Sequence, residues 1–231
     1  MVRYQLMTYD VRVLRVGNKI INYVYIIMDR MTKQAAIVDP AWDMDAICYE
    51  IEKNNLQVKM ILLTHSHSDH VQLVEPLVAR YNPKVYISKR EADYYRYHSG
   101  NLVTLADQTL LMLGETPIRS ILTPGHTAGG MCYLMSHSLF TGDTLFIEGC
   151  GICDTKGGNP YEMFASLKKI RQITNPTVSV YPGHSFGRPP GLSMEDLMTY
   201  NIYFQINDLD SFVKFRMRPN QRLNNKLFNF H

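Results

Sequence analysis

The sequence contains no stretch of 18 consecutive apolar residues, and its first residues show no apolar region followed by a small-residue cleavage site. It therefore predicts no transmembrane helix and no secretory signal, and we expect a cytoplasmic protein that does not bind a membrane. Cysteine is scarce, with four residues in 231. A chain of this length buries a full core without a disulfide framework, so we expect these cysteines to be reduced.

The sequence also lacks a general excess of positive charge. Its net charge is +3, but residues 211–231 contribute +5 and contain no aspartate or glutamate, which leaves −2 for residues 1–210. The basic residues of this tail are Lys214, Arg216, Arg218, Arg222 and Lys226. A basic surface over the whole protein is therefore not predicted, and we expect no nucleic-acid binding.

Apolar spacing predicts an α/β protein. The first 40 residues and residues 102–147 are typical of short strands, and further strands are predicted at 60–63, 85–87 and 178–181. Apolar residues at helical spacing predict helices over 43–54, 71–81, 91–97, 161–173 and 194–205. Pro76 predicts a kink or a later start in the second of these helices, and Ser193 with Asp196 predicts a capping box at the last. This order suits two mixed sheets with helices on their outer faces.

The most informative segment is Thr64-His65-Ser66-His67-Ser68-Asp69-His70, which follows a buried strand directly. Imidazole and carboxylate groups are the ligands that Zn²⁺ and related metals take. The alternative, a polar loop with solvated histidines, requires this dense pattern to arise by chance. We therefore interpret the segment as metal-binding.

Three later sites share one setting. Each places a possible ligand just after a predicted strand and beside a glycine, which allows close approach of the backbone. These ligands are His126 in Pro-Gly-His-Thr, Asp143 in Thr-Gly-Asp-Thr and His184 in Pro-Gly-His-Ser. His98, His137 and His231 do not share it, and we expect them to be structural or solvated.

Together these motifs resemble the metallo-β-lactamase superfamily, specifically its glyoxalase II (hydroxyacylglutathione hydrolase) branch, over about residues 10–190. The resemblance implies an αββα sandwich of two mixed β-sheets with outer helices. It implies a metallo-β-lactamase-fold hydrolase domain over residues 1–192. Residues 193–231 would form a C-terminal helix and a basic, aromatic tail packed on the same domain.

The resemblance also implies a site with two zinc ions, where iron or manganese is possible. His65, His67 and His126 would hold one metal, Asp69, His70 and His184 the second, and Asp143 would bridge both. A hydroxide bridging the metals would attack a thioester carbonyl. Asp69 would also act in catalysis by orienting this nucleophile. Asp39 is either a supporting group for a ligand or a plain turn-forming residue.

The end of the chain departs from glyoxalase II. About 40 residues follow Gly191, and the segment 149–158 is longer than the usual substrate-binding loop, which argues against glutathione. The Gly-Cys-Gly-Ile-Cys segment, the run 181–191 and the Phe-Arg-Met-Arg tail look closer to the hydrolases of bacterial polyketide (antibiotic) clusters. That resemblance implies cleavage of acyl groups from acyl carrier protein or small thiol carriers. Arg216, Arg218 and Arg222 are then predicted to dock an acidic carrier, the alternative being a solvated tail.

Other interpretations remain open at this stage. The chain could be a hydroxyacylglutathione hydrolase, or a persulfide dioxygenase with a single iron on the same fold. A nuclease or a non-catalytic binding module is disfavoured, because no nuclease domain is seen and no ligand position is lost. Cys150 and Cys153 could form a redox or metal pair, but a single CxxC is a weak signal, and we predict a packing role in the loop.

Overall fold

The computed structural model describes residues 7–219, which form two packed sheets with helices outside them. The first sheet has the order β1-β2-β3-β4-β5-β6 and the second the order β11-β10-β9-β8-β7. The strands of the first sheet are β1 (Tyr9–Val16), β2 (Asn22–Asp29), β3 (Gln34–Val38), β4 (Gln57–Leu62), β5 (Lys84–Ser88) and β6 (Leu102–Leu105). Those of the second are β7 (Leu110–Leu113), β8 (Thr116–Leu122), β9 (Met131–Leu134), β10 (Ser138–Gly142) and β11 (Ser179–Pro182).

Both sheets are mixed, as the sequence predicted. Strands β1 to β3 pair antiparallel, and β3 to β6 pair parallel. In the second sheet β7 to β10 pair antiparallel, and β11 adds to β10 in parallel. The helices are α1 (Met44–Lys53), α2 (Ser68–Val71), α3 (Val74–Tyr81), α4 (Lys89–Tyr95), α5 (Pro160–Ile173), α6 (Met194–Tyr200), α7 (Ile202–Gln205) and α8 (Leu209–Arg216).

Strand β2 shows how the sequence builds the layers. All eight of its residues are buried, because one face meets the other sheet and the opposite face meets helices. Tyr23, Tyr25 and Ile27 belong to the core between the sheets, whereas Val24 and Ile26 belong to the core under the outer helices. A third apolar cluster joins the outer face of the second sheet to α5, α6 and α8. The layers therefore follow the order αββα.

Two predicted helices are divided in the structure. The pattern over 71–81 is split into α2 and α3, and Pro76 falls in the first turn of α3, where a missing N–H costs little. The predicted capping box of Ser193 and Asp196 is confirmed. That helix ends at Tyr200 rather than near residue 205, because Asn201 starts α7 by accepting a hydrogen bond from Tyr203 N at 3.0 Å.

Asn201 gives the first testable prediction, on stability. Its Nδ2 donates to the backbone oxygens of Phe146 and Gly149, both at 2.9 Å, and the side chain is fully buried. We expect Asn201→Ala to lower the free energy of unfolding by about 2–3 kcal/mol, because buried acceptors and a helix cap lose their partner. Urea denaturation measures this. The exposed Thr199→Ala is the control, and an equally small change in both variants would contradict the prediction.

Candidate metal centre

The predicted ligands lie at one edge of the sandwich, just after four strands. Strands β8, β10 and β11 run in the same direction, so their carboxyl ends meet and carry His126, Asp143 and His184. His65 follows β4 of the other sheet. The two sheets are joined at this edge, because Thr64 O accepts a hydrogen bond from Met131 N at 2.8 Å. The fold therefore brings distant segments to one place.

The first predicted ligand group is compact. His67 Nδ1 lies 3.1 Å from His65 Nε2 and 3.1 Å from His126 Nε2. The three ring nitrogen atoms form one of the clusters capable of holding a metal ion. His65 and His126 are buried, and His67 is partly exposed.

The second predicted ligand group lies beside the first. His70 Nε2 is 3.2 Å from His184 Nε2, and Asp69 Oδ2 is 3.3 Å from His184 Nε2. These three groups form a second cluster capable of holding a metal ion. All three residues are buried.

Asp143 connects the two groups. Its Oδ1 lies 3.5 Å from His70 Nε2, and its Oδ2 lies 3.5 Å from His126 Nε2 and 3.3 Å from His184 Nε2. Asp143 therefore lies between the two groups. The structure brings all seven predicted residues together, and their roles as ligands remain predictions.

The outer ring nitrogens test whether these residues fit metal ions. His126 Nδ1 bonds Ile152 O at 2.8 Å, and His184 Nδ1 bonds Ile21 O at 3.1 Å. A carbonyl oxygen only accepts, so each Nδ1 carries a proton and each Nε2, which faces the other predicted ligands, is the ring nitrogen left to bind a metal. Asp143 Oδ1 is buried and has no hydrogen-bond partner. Converging ring nitrogens and an unpartnered buried carboxylate oxygen are stable beside cations, so the residues fit a binuclear metal site.

Asp39 contacts the ring nitrogen of His70 that faces away from the other predicted ligands. Its Oδ2 lies 3.0 Å from His70 Nδ1 and accepts a hydrogen bond from Thr64 Oγ1 at 2.6 Å, while its Oδ1 accepts from Thr64 N at 2.8 Å. Asp39 has φ of 49°, in the left-handed region that Asp tolerates. Of the two interpretations left open by the sequence, these contacts favour a supporting group for a ligand.

Burial and charge set the protonation of the centre. Burial lowers the pKa of His65 and His126, and it lowers the pKa of His67 to about 4. Burial alone would raise the pKa values of Asp69 and Asp143, but the facing histidines more than offset it and hold both carboxyls well below their usual range. One side of the centre therefore consists of neutral imidazoles and the other of ionised carboxylates with histidines.

Zinc binding should therefore depend on pH. Burial would lower the pKa of His184, but Asp143 and Asp69 outweigh it and raise this pKa to about 10 in the metal-free chain. A metal ion must displace that proton, so low pH favours the metal-free form. We expect zinc affinity to rise between pH 6 and pH 8 by roughly tenfold per pH unit for each proton displaced. Competition with a chelator of known pH dependence measures this, and a pH-independent affinity would contradict it.

Two further supports were missed in the sequence. Glu91 is fully buried in α4, and its carboxylate accepts hydrogen bonds from Ser66 N at 2.9 Å and Gly129 N at 2.8 Å. It thus fixes the loop between His65 and His67. No local pattern marks Glu91, because its partners lie in segments 25 and 38 residues away.

The segment Cys150–Ile152 is the second support. Gly151 N donates to Asp143 O at 2.9 Å, and Ile152 O receives the bond from His126. Cys150 and Cys153 are unpaired, buried and part of the apolar cluster over the second sheet. Their surroundings agree with the packing role predicted for them.

Of the three arginines predicted to dock a carrier, the structure describes Arg216 and Arg218. Arg216 is buried in α8, where its Nη1 donates to Cys150 O at 3.1 Å and to Tyr203 Oη at 2.8 Å. It does not lie on the surface that the sequence prediction assigned to it, because its guanidinium finds partners inside the fold. Arg218 is exposed, and Arg222 lies outside the described residues.

Among the described residues, the two remaining histidines lie outside both ligand groups. His98 is exposed after α4, and His137 lies in the turn between β9 and β10, where its backbone oxygen accepts from Ser179 N at 3.0 Å. His231 lies outside the described residues. Within residues 7–219, no helix is both long and apolar enough to cross a membrane.

Two groups of possible ligands joined by one carboxylate, at the edge of an αββα sandwich, fit a binuclear metal site. The chain belongs to the metallo-beta-lactamase superfamily, whose family model matches residues 17–184. The resemblance and the fold class predicted from the sequence are confirmed.

The chain is similar to two proteins named as probable polyketide biosynthesis zinc-dependent hydrolases. It is 51% identical to PksB of Bacillus subtilis over 201 residues, covering 87% of this chain and 89% of PksB. It is 50% identical to BaeB of Bacillus velezensis over 216 residues, covering 93% and 96%. A hydroxyacylglutathione hydrolase of Francisella tularensis is 34% identical over 173 residues, covering 74% of this chain and 65% of that protein.

Solved structures agree with the fold. ETHE1 from Myxococcus xanthus superposes with a TM-score of 0.81 at 24% identity, covering 94% of each chain. The B3 metallo-beta-lactamase BLEG-1 superposes with a TM-score of 0.73 at 25% identity, covering 85% of this chain and 100% of that one.

Proposed function

We propose that this protein is a zinc-dependent thioester hydrolase of polyketide biosynthesis, releasing acyl groups from acyl carrier protein or a small thiol carrier. The observation that carries the proposal is the placement of Asp143 between the two ligand groups, because a carboxylate shared by both groups would hold two cations side by side, as two-metal hydrolysis requires. The names of the Bacillus relatives support the zinc requirement and the biosynthetic setting.

Each side of the centre has a distinct role in this proposal. His65, His67 and His126 would hold one zinc ion, Asp69, His70 and His184 the other, and Asp143 both. Zinc bound there supplies Lewis acidity, which brings the pKa of water toward neutrality and polarises a carbonyl. Asp69 keeps its carboxylate ionised beside His184 and orients the attacking water.

Three of the four cysteines are poor candidates for a protein nucleophile. Burial raises the pKa of Cys132 to about 12 and that of Cys150 to about 11, and it also raises the pKa of Cys153. All three thiols therefore stay protonated near neutral pH, where a thiol is a poor nucleophile. This supports water as the attacking group.

The decisive experiment combines metal analysis with a substrate comparison. The purified protein is assayed for metal content and for hydrolysis of acyl-carrier, acyl-CoA and acylglutathione thioesters. Two zinc ions per chain and the highest kcat/KM for the acyl-carrier substrate are expected, with all activity lost after exhaustive chelation. Full activity without metal would contradict the proposal. One iron per chain with persulfide oxidation would establish the dioxygenase, and a preference for acylglutathione would establish the glutathione hydrolase.

Carrier docking makes a separate prediction about the tail. With Arg216 buried, the docking proposal rests on Arg218 and Arg222. We expect R218E combined with R222E to raise KM for a carrier-bound thioester by about tenfold, because an acidic partner is then repelled. The KM for a small thioester should not change. Equal effects on both substrates would remove the docking proposal and leave the hydrolase proposal intact.

A further inference from the structure

Asn22 is a buried polar residue at the metal centre with no role in the mechanism above. It is the first residue of β2, it is 1% exposed, and its backbone forms a β-bridge with His184. The neighbouring Tyr23 N donates to Gly183 O at 2.8 Å, and Ile21 O accepts from the His184 side chain. Asn22 is therefore fixed to the segment that carries one predicted ligand.

The Asn22 amide also holds a second predicted ligand. Its Nδ2 donates to Asp69 O at 2.9 Å and to Asp69 Oδ2 at 3.2 Å. The same Oδ2 lies 3.3 Å from His184 Nε2 and 3.6 Å from His70 Nε2, so it is the oxygen that faces the metal-binding nitrogens. One amide group thus ties the main chain of Asp69 to its carboxylate and restricts the rotation of that side chain.

Trp42 determines which way the amide points. Its Nε1 donates to Asn22 Oδ1 at 2.8 Å. An indole N–H can only donate, so the amide oxygen must face Trp42 and the NH₂ group must face Asp69. Both amide hydrogens and the amide oxygen then have partners, and a flipped amide would lose the contacts to Trp42 and Asp69 together.

We propose that Asn22 is a positioning residue for Asp69 and that Trp42 acts through Asn22. The amide occupies one lone pair of Asp69 Oδ2 and leaves another directed toward the metal position shared with His70 and His184. The carboxylate is ordered before the metal arrives, so less conformational freedom is lost on binding. Groups that orient metal ligands in this way contribute about 10–100-fold to metal affinity. The inference rests on the binuclear centre proposed above.

The test is a zinc titration of the full metal-free chain against a chromophoric chelator. The unmodified chain should bind zinc in two steps. Asn22→Ala should weaken one step by about 10–100-fold and leave the other within about twofold. W42F, at a residue that is 42% exposed, keeps the amide but removes its orientation, and should weaken the same step by roughly three- to tenfold.

Asn54→Ala is the matched control. The Asn54 amide also donates to a backbone oxygen, that of Glu50 at 2.8 Å, but it does so at the end of α1. Both zinc steps should be unchanged in this variant. A merely structural role for Asn22 predicts equal losses at both steps, and that result, or unchanged affinity at both, would overturn the inference.

The remaining outcomes are also decisive. If Asn22→Ala does not fold, the W42F variant tests the inference instead. Unchanged zinc affinity in W42F would overturn the proposed role of the oriented amide. Failure of the unmodified chain to bind a second zinc ion would overturn the metal centre together with this inference. That failure is seen before any variant is made, so it is distinguishable from a failure specific to Asn22.

Discussion

Replacing His67 with alanine should abolish hydrolysis of every thioester substrate, with kcat/KM lowered by about 10³-fold or more. His67 Nδ1 is the atom that both other imidazoles of the first group approach, each at 3.1 Å. Its pKa of about 4 keeps it neutral, so it offers a lone pair at any pH near neutrality. Without it the first position keeps two imidazoles and the carboxylate of Asp143, one ligand fewer than the proposal assigns to it, so zinc is held less firmly there.

Metal analysis separates this effect from misfolding. H67A should bind about one zinc ion per chain instead of two, because the Asp69, His70 and His184 group is untouched. His98→Ala is the matched control, since His98 is exposed and remote from both groups, and it should keep full activity and metal content. Substantial activity in H67A, or loss of both ions, would contradict the assignment of His67 to a single metal.

Asp39→Asn should weaken zinc binding by about 10–100-fold and reduce activity in parallel. The Asp39 carboxylate accepts three hydrogen bonds, from Thr64 N, Thr64 Oγ1 and His70 Nδ1. The asparagine side chain has one oxygen and one NH₂ group. In either orientation the NH₂ group faces at least one of these donors and cannot accept its hydrogen bond. Asn tolerates the left-handed backbone at this position, so the substitution tests the carboxylate and not the turn.

Asp107→Asn is the control for this substitution. Asp107 also accepts from a backbone N–H, that of Leu122 at 2.8 Å, but it is exposed and paired with Lys169. Its variant should bind zinc normally. Zinc affinity measured by chelator competition, together with urea denaturation, distinguishes a loss of ligand orientation from a general loss of stability. Normal zinc affinity in D39N would show that zinc binding does not depend on a carboxylate at His70 Nδ1.

Much of the site could be predicted from sequence because its ligands stand in short motifs at strand ends. The motif from His65 to His70 is local, and Asp143 and His184 each follow a glycine after a strand. The layers were also predictable, since β2 and β3 are nearly continuous apolar runs that must be buried on both faces.

The supporting residues could not be predicted in the same way. Asn22 and Glu91 act through partners distant in sequence, so no spacing rule reveals them. Arg216 was assigned to a docking surface from its charge and its basic neighbours. Composition does not show that its guanidinium donates to the carbonyl of Cys150, 66 residues earlier. The break at Asn201 was missed because the apolar spacing continues across it while the side chain caps a new helix.

The bond between Arg216 and the Cys150 carbonyl has a consequence for biosynthesis of the chain. All seven predicted ligands precede residue 185. The segment 149–152, which contacts His126 and Asp143, accepts hydrogen bonds from Asn201 and Arg216. During translation the predicted ligands are synthesised before Asn201 and Arg216. The hydrogen bonds that support His126 and Asp143 are therefore complete only when α8 has been synthesised and has packed onto the fold.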